Sequence, residues 1–267
     1  MSGIGGADML ETSVTSPETL VLLSPFMVVA VVIYFLAGLV KGTLGIGFPT
    51  TAVSLLAQTT DARTAISLVV VPMVVTNAWQ CWRSGQVHWV IASFWRLLVF
   101  MLLFIAIFSQ LASAVPVVYL TAILGAVVSL YAASSLYKPV VRIPAKHDKK
   151  AQVLTGVSAG VMGGMAGVWA PPILIYLTAR GISKDQFVAT TGLLLFLGSS
   201  VLLAGYWHGG LLGPAIVMLS SVLLLPSMLG MVCGEKLRER LSAKRFERVL
   251  LWFFLLMGLN LIRRALL

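Results

Sequence analysis

The chain has 267 residues, of which 59% are hydrophobic and 10% are charged, and its mean hydropathy is +0.98. Soluble domains carry about 25% charged residues, so this composition excludes a water-soluble globule and a disordered chain. Lys and Arg outnumber Asp and Glu by 19 to 9, but apolar runs dominate, which argues against a nucleic-acid-binding protein. The composition predicts an all-α integral membrane protein.

Residues 1–19 form a polar segment without Lys or Arg, so they lack the basic region of a signal peptide and are interpreted as a loosely ordered tail. A first repeat is predicted over residues 20–137. It consists of an apolar hairpin at 20–58, broken in the middle by Gly and Pro, and of full spans at 64–82, 87–108 and 115–137. Each full span has about the 20 residues that cross a bilayer.

A basic linker at 138–151 leads to a second repeat over 152–267. This half has a broken hairpin at 152–180 and full spans at 186–207, 211–232 and 246–262. Because each half has an odd number of full spans, hairpins that return to their own side make the second half inverted relative to the first. The sequence thus predicts about eight membrane helices in two inverted repeats, an arrangement typical of secondary transporters.

Glycine and proline recur between the halves at a constant offset of 122 residues. The matching pairs are Gly38 and Gly160, Gly42 and Gly164, Gly45 and Gly167, Pro49 and Pro171, with Asn77 and Ser199 at the same offset. The alternative is that these glycines only let helices pack closely. Close packing alone does not predict Pro at matching breaks, which favours a duplicated hairpin.

Basic residues cluster in segments 138–151 and 234–248. Loops rich in Lys and Arg stay cytoplasmic, and two spans separate these segments, as two loops on one side require. The expected location is therefore the plasma membrane, as in a bacterial inner membrane, with both segments cytoplasmic and the N-terminus outside.

Each break is followed by a proline, which favours the first positions of a helix. A helix that begins inside the membrane offers unpaired N–H groups and a partial positive charge to an anion. Two such starts related by inversion would face one site near the midplane. The candidate substrate-binding residues are Lys41, Thr43, Gly45, Gly47, Pro49, Thr50, Thr51, Asn77, Gln80, Gly164, Gly167, Trp169, Pro171 and Ser199.

Several of these residues have a second interpretation. Lys41 is an intramembrane cation, which suggests function, but its amine can also extend to the interface. Asn77 and Gln80 lie three residues apart on one helix face and can line a pore or join helices by hydrogen bonds. Trp169 can wall or gate the site, or simply pack.

All nine carboxylates are predicted outside the spans, with Asp61 and Asp185 as N-caps. An interior without carboxylates favours an anionic substrate over a cation. The histidines are isolated and the two cysteines are far apart, so no catalytic residue, metal site or cofactor is predicted. The expected partners are a small anionic substrate and the lipid bilayer, with nucleic acid not expected and a homodimer left open.

The duplicated glycine stretch, 38–47 and again from Gly160, resembles the TauE/SafE family of sulfite and sulfonate permeases, in which each copy precedes a short helix and a span. The first span ends at the turn 83–87 and the second near 208–211. The similarity covers about residues 25–262. Phe48 and Pro49 replace the last glycines of the first copy, and residues 168–170 replace most of the second run, which suggests a substrate other than bare sulfite, or different gating.

The resemblance implies a secondary transporter of a small organosulfur or related anion, such as sulfite, a sulfonate or a sulfoacetate-like compound. An anion channel on the same scaffold is an alternative. A membrane-embedded assembly factor or enzyme is another, although the sequence shows no nucleophile, metal or dithiol site for it.

Overall fold

The computed structural model describes residues 25–137, 142–238 and 243–266. Within these ranges every regular element is helical, which confirms the all-α fold. The predicted tail at 1–19 and the first four residues of the predicted linker, 138–141, lie outside the described residues.

The first half contains the two helices of the first hairpin and three long helices. They are α1 (Pro25–Leu44), α2 (Phe48–Leu56), α3 (Ala62–Ser84), α4 (Val87–Ala114) and α5 (Val117–Tyr137).

The second half begins with a single 3₁₀ turn, Ala145–His147. The helices that follow are α6 (Asp148–Ala166), α7 (Ala170–Arg180), α8 (Lys184–His208), α9 (Pro214–Val222), α10 (Leu224–Arg238) and α11 (Ala243–Leu266).

Among the described residues, six stretches are long and apolar enough to cross a membrane. They are α1, α3, α4, α5, α8 and the combined stretch of α9 and α10. The chain is thus a multi-pass helical membrane protein. Helices α6 and α11 are 19 and 24 residues long but are not among the six, so the total of eight membrane helices stays a prediction.

Two predicted boundaries differ from the structure. The span expected at 211–232 consists of two helices that meet at Leu223. Pro226 lies in the first turn of α10, where the missing N–H is tolerated. The predicted linker 138–151 is also too long, because residues 148–151 form the first turn of α6.

Of the two predicted N-caps, Asp61 is confirmed and Asp185 is wrong. Asp61 caps α3, and its carboxylate accepts a hydrogen bond of 3.0 Å from the Thr64 N–H. Burial raises the pKa of Asp61, but the hydrogen bonds from Thr64 outweigh it and hold this pKa below its usual value. For α8 the N-cap is Ser183, which forms a reciprocal capping box with Gln186. The Ser183 hydroxyl oxygen accepts the Gln186 N–H, so Asp185 lies within the first turn and is not the cap.

Glycines let the backbones of two pairs of helices come into close contact. A Cβ added at Gly38 of α1 would lie 2.1 Å from the Ser227 carbonyl oxygen of α10. One added at Gly230 of α10 would lie 2.0 Å from the Phe35 carbonyl oxygen of α1. On α6, a Cβ at Gly156 would lie 2.6 Å from the carbonyl oxygen of Leu97 on α4. Gly38 therefore has the packing role that the sequence left as an alternative.

The helix contacts are reciprocal between the halves. Helix α1 packs along α10, and α6 packs along α4. Helices α3 and α8 pack against each other, as do α5 and α11. Two repeats related by a twofold axis would produce this pattern, although the inverted topology itself stays a prediction. The pairing of α3 with α8 brings the first half of the chain against the second beside the hairpin break.

Candidate functional site

The first hairpin turns within three residues. Helix α1 ends at Leu44, and Gly45 and Gly47 follow with φ of +79° and +95°. These left-handed values favour glycine because a Cβ would be strained there. Helix α2 then begins at Phe48 with Pro49 in its first turn, which confirms the predicted helix start.

The second hairpin has the same design. Helix α6 ends at Ala166, and Gly167, at the position equivalent to Gly45, has φ of +67°. Helix α7 begins at Ala170 with Pro171 in its first turn. Both predicted helix starts are therefore present, at positions 122 residues apart.

Lys41 lies inside the protein just before the first break. Lys41 is only 2% exposed, and its Nζ donates a hydrogen bond to Oδ1 of Asn77 on α3. Asn77 in turn donates from Nδ2 to the Leu195 carbonyl oxygen of α8 at 3.3 Å. The hydrogen bonds of Lys41 and Asn77 thus join α1, α3 and α8.

A cavity of about 730 Å³ extends from Lys41 to the surface. It lies between the first hairpin, α3, α8 and α10, and it is lined by Lys41, Gly42, Gly45, Trp79, Gln80, Arg83, Ser84, Val188, Met231, Val232, Glu235 and Lys236. Gln80 lines the cavity, and its Nε2 donates to the Val188 carbonyl oxygen at 3.3 Å, so it joins α3 to α8; a role in lining a pore stays a prediction.

Charged side chains line the outer end of this cavity. Nη1 of Arg83 lies 3.1 Å from Oε2 and 3.3 Å from Oε1 of Glu235. Their side chains are 56% and 41% exposed. With Lys236 and Lys41, the lining carries three cations and one carboxylate, which favours an anion.

The sequence did not assign these outer residues to the site. Arg83 belongs to the turn that follows the first repeat's span, and this motif was the available signal. The prediction that every carboxylate lies outside the spans is wrong for two residues. Asp185 begins the apolar stretch Asp185–His208, and Glu235 is in α10 within the stretch Pro214–Leu237. Helix α10 continues to Arg238, beyond the end of the predicted span, and this brings Glu235 beside Arg83.

Other candidate residues point elsewhere. Thr43 donates to the Leu39 oxygen at 2.8 Å and to the Gly234 oxygen at 3.3 Å. Thr51 donates to the Gly47 oxygen at 2.8 Å, and Ser199 donates to the Phe196 oxygen at 2.9 Å. Gly164 lies against Phe108 of α4. None of these four lines the cavity.

Trp169 packs into the second hairpin. It is fully buried, and a Cβ added at Gly163 or Gly198 would lie 2.9 or 3.1 Å from its ring. Gly163 is the position equivalent to Lys41, so the two hairpins differ in what occupies their interiors. Among the described residues, Nε1 of Trp169 and Oγ1 of Thr50 are buried without a hydrogen-bond partner.

In the described parts of the chain, no three His, Cys, Asp or Glu side chains form a group that could hold a metal ion. The site in these parts consists of three cations, one carboxylate, the amide of Gln80 and hairpin backbone around a cavity.

Six candidate spans in the described parts of the chain, together with two broken helical hairpins and a cationic cavity beside one break, define a multi-pass helical membrane protein. The chain belongs to the Sulfite exporter TauE/SafE family, whose model matches residues 30–261. A search of curated proteins found no match, and neither did a search of solved structures.

Proposed function

We propose that the protein is a secondary transporter of a small organosulfur or related anion, such as sulfite, a sulfonate or a sulfoacetate-like compound. The observation that carries this proposal is the buried ammonium group of Lys41 at the inner end of a cavity beside the Gly45 break. A buried cation is costly unless it is paired. Its protein partner, Asn77, is neutral, so an anion can supply the missing charge.

The size of the cavity agrees with this substrate class. Small-molecule sites measure about 300–1,000 Å³, and this cavity measures about 730 Å³. Arg83 and Lys236 would attract an anion to its outer end, and Lys41 would bind it at the inner end. Glu235 lowers the positive charge at the outer end and so limits how tightly an anion is held there.

The hairpin breaks add donors to the proposed site. Helix α2 begins three residues after Gly45, and its N-terminus favours negative charge. The unpartnered donors of Thr50 and Trp169 support the view that each break presents polar groups to a ligand. We propose that the second hairpin contributes when the substrate moves past the first, with Gly167 and Pro171 forming its turn.

The test is uptake into vesicles that contain the purified protein. Labelled sulfite, a simple sulfonate and sulfoacetate should each be offered, with sulfate and a carboxylate of similar size for comparison. We expect saturable uptake that depends on a gradient, and we expect Lys41→Met to abolish it while the variant stays folded. Very high, non-saturating flux would instead identify an anion channel.

Two further variants test the hairpins. Leucine at Gly45 or Gly167 places bulk at a left-handed break, and we expect each variant to lose uptake. Unchanged uptake in Lys41→Met, Gly45→Leu and Gly167→Leu would refute the site. If none of the anions is transported, a thermal-shift screen of the wild-type protein identifies the ligand class, because a ligand that binds the folded state raises its apparent stability.

A further inference from the structure

A second cavity, of about 430 Å³, lies between α4 and α6. Arg96 of α4 and Lys149 and Lys150 of α6 supply its charged lining, and Val153 and Leu154 supply its apolar lining. No residue is shared with the cavity that contains Lys41. Three cations around one pocket create a local positive potential that no described carboxylate in its lining offsets.

The nearest acidic residue in sequence, Asp148, is engaged on another side. Its carboxylate accepts hydrogen bonds from the Tyr176 hydroxyl at 2.7 Å and the Gln152 amide at 2.9 Å, and it pairs with Arg180 at 3.2 Å. Asp148 therefore ties α6 to α7. Among the described residues, Arg96, Lys149 and Lys150 have no carboxylate partner, so their charge is available to a ligand.

The surroundings of the pocket are those of a membrane interface. The Arg96 guanidinium lies 4.4 Å from the centre of the Trp95 ring, and Trp95 is 47% exposed. Tryptophan is enriched at the level of lipid headgroups. Helix α4 departs from helical geometry at Phe94, and Arg96 follows this kink.

An apolar stripe runs along α4 from Trp95, which contacts Arg96 of the pocket. Its members, each about half exposed and four residues apart, are Trp95, Val99, Leu103, Ile107 and Leu111. On α6, Leu154 is 71% exposed at the edge of the same pocket. A pocket that is cationic at one end and continues into an exposed apolar stripe matches a molecule with an anionic head and a hydrocarbon tail.

We propose that this pocket binds the phosphate headgroup of an anionic phospholipid, with an acyl chain along the α4 stripe. Basic pockets between membrane helices recognise such headgroups. Lys149 and Lys150 bind the phosphate from α6, and Arg96 binds it from α4. The lipid thereby joins α4 to the beginning of the second hairpin.

The experiment measures phospholipid bound to the purified full-length protein by native mass spectrometry. Phosphatidylglycerol and phosphatidylcholine with the same acyl chains are compared on the wild type and on Lys149→Gln/Lys150→Gln. The control is Arg142→Gln/Lys146→Gln, which removes two charges from the same segment at exposed positions outside the pocket. Each basic residue near an anionic headgroup changes affinity about fivefold.

We expect phosphatidylglycerol to bind in preference to phosphatidylcholine, and Lys149→Gln/Lys150→Gln to weaken it about tenfold or more, with the control near the wild type. Equal weakening in the two double variants would overturn the proposal, as would equal binding of the two lipids. Inorganic phosphate that displaces phosphatidylglycerol as effectively as a second phospholipid would show a free-phosphate site instead. Should the double variant fail to fold, Arg96→Gln decides, with about fivefold weaker binding expected.

Discussion

Lys41 and Asn77 lie on different helices, and the lysine ammonium donates a hydrogen bond to the amide oxygen where both residues are almost fully buried. The neutrality of this acceptor matters. An aspartate at position 77 would neutralise the ammonium permanently, whereas asparagine satisfies a proton of the amine and leaves its charge uncompensated. The pair therefore leaves a basic group buried beside the cavity with a neutral partner.

Substitution at Asn77 should separate charge from stability. In Asn77→Asp, the carboxylate competes with the substrate for Lys41, and we expect at least tenfold weaker anion uptake without loss of thermal stability. In Asn77→Leu, the buried ammonium loses its acceptor, and we expect about 1–3 kcal/mol lower stability. Uptake kinetics and thermal unfolding measure the two effects, and wild-type affinity in Asn77→Asp would contradict the role given to Lys41.

Gly45 and Gly181 form a matched pair for testing the first break. Both have positive φ, +79° and +63°, and both face open space, but Gly45 alone of the two lines the large cavity. Leucine at either position should cost a similar strain of about 1–2 kcal/mol. We expect uptake to be lost in Gly45→Leu and retained in Gly181→Leu, and equal uptake in the two variants would place the transport path elsewhere.

The close contact of α1 with α10 predicts a large effect of one methyl group. A Cβ at Gly230 would lie 2.0 Å from the Phe35 carbonyl oxygen, whereas a Cβ at Gly213 would meet nothing within 4 Å. We expect Gly230→Ala to lower the unfolding free energy by about 1–3 kcal/mol and Gly213→Ala to change it by less than about 1 kcal/mol. Thermal unfolding in detergent measures both, and similar transition temperatures would show that the helices move apart at little cost.

The exposed pair Arg83 and Glu235 should affect affinity more than stability. An exposed ion pair contributes about 0–1 kcal/mol, so neither Arg83→Gln nor Glu235→Gln should unfold the protein. If the outer end of the cavity attracts an anion, Arg83→Gln raises the KM for uptake and Glu235→Gln lowers it. Shifts of both KM values in the same direction would exclude this electrostatic role.

Asp61 predicts a measurable dependence of stability on pH. Its pKa in the folded protein is below its usual value because of the hydrogen bonds from Thr64, despite the opposing effect of burial. The carboxylate therefore stabilises the fold above its unfolded pKa of about 4, and this contribution is lost as the pH falls through the folded pKa. Asp61→Ala should cost about 1 kcal/mol near neutral pH, and the difference from wild type should vanish in strong acid. A difference that persists there would assign the effect to packing.

Local features of the fold were predictable from the sequence because they depend on residues close together in the chain. Apolar length located five of the six predicted full spans, and 246–262 is not among the candidate stretches of the described residues. The proline that follows each glycine break located the starts of α2 and α7. The Asp61 cap follows the same logic. The error at Asp185 shows the limit of such rules, since Ser183 two residues earlier is an equally good cap and forms the capping box.

The candidate site was predicted in part. Lys41, Gly45 and Gln80 do line one cavity, and Asn77 adjoins it through its bond to Lys41. Trp169 packs beside Gly163 within the second hairpin, and Gly164 packs against Phe108 of α4 in the first half. Which glycine bends the chain and which one packs depends on the neighbouring helix, and a glycine pattern does not contain that neighbour.

By itself, the sequence determined a helical membrane protein with two broken hairpins, since hydropathy and backbone freedom are properties of each segment. Only the tertiary structure decided that Lys41 meets Asn77, 36 residues away, and that Arg83 meets Glu235, 152 residues away. Such contacts depend on which helices pack side by side. In this protein, α1 packs closely against α10 and α3 packs against α8, and these contacts bring the charged residues around one cavity.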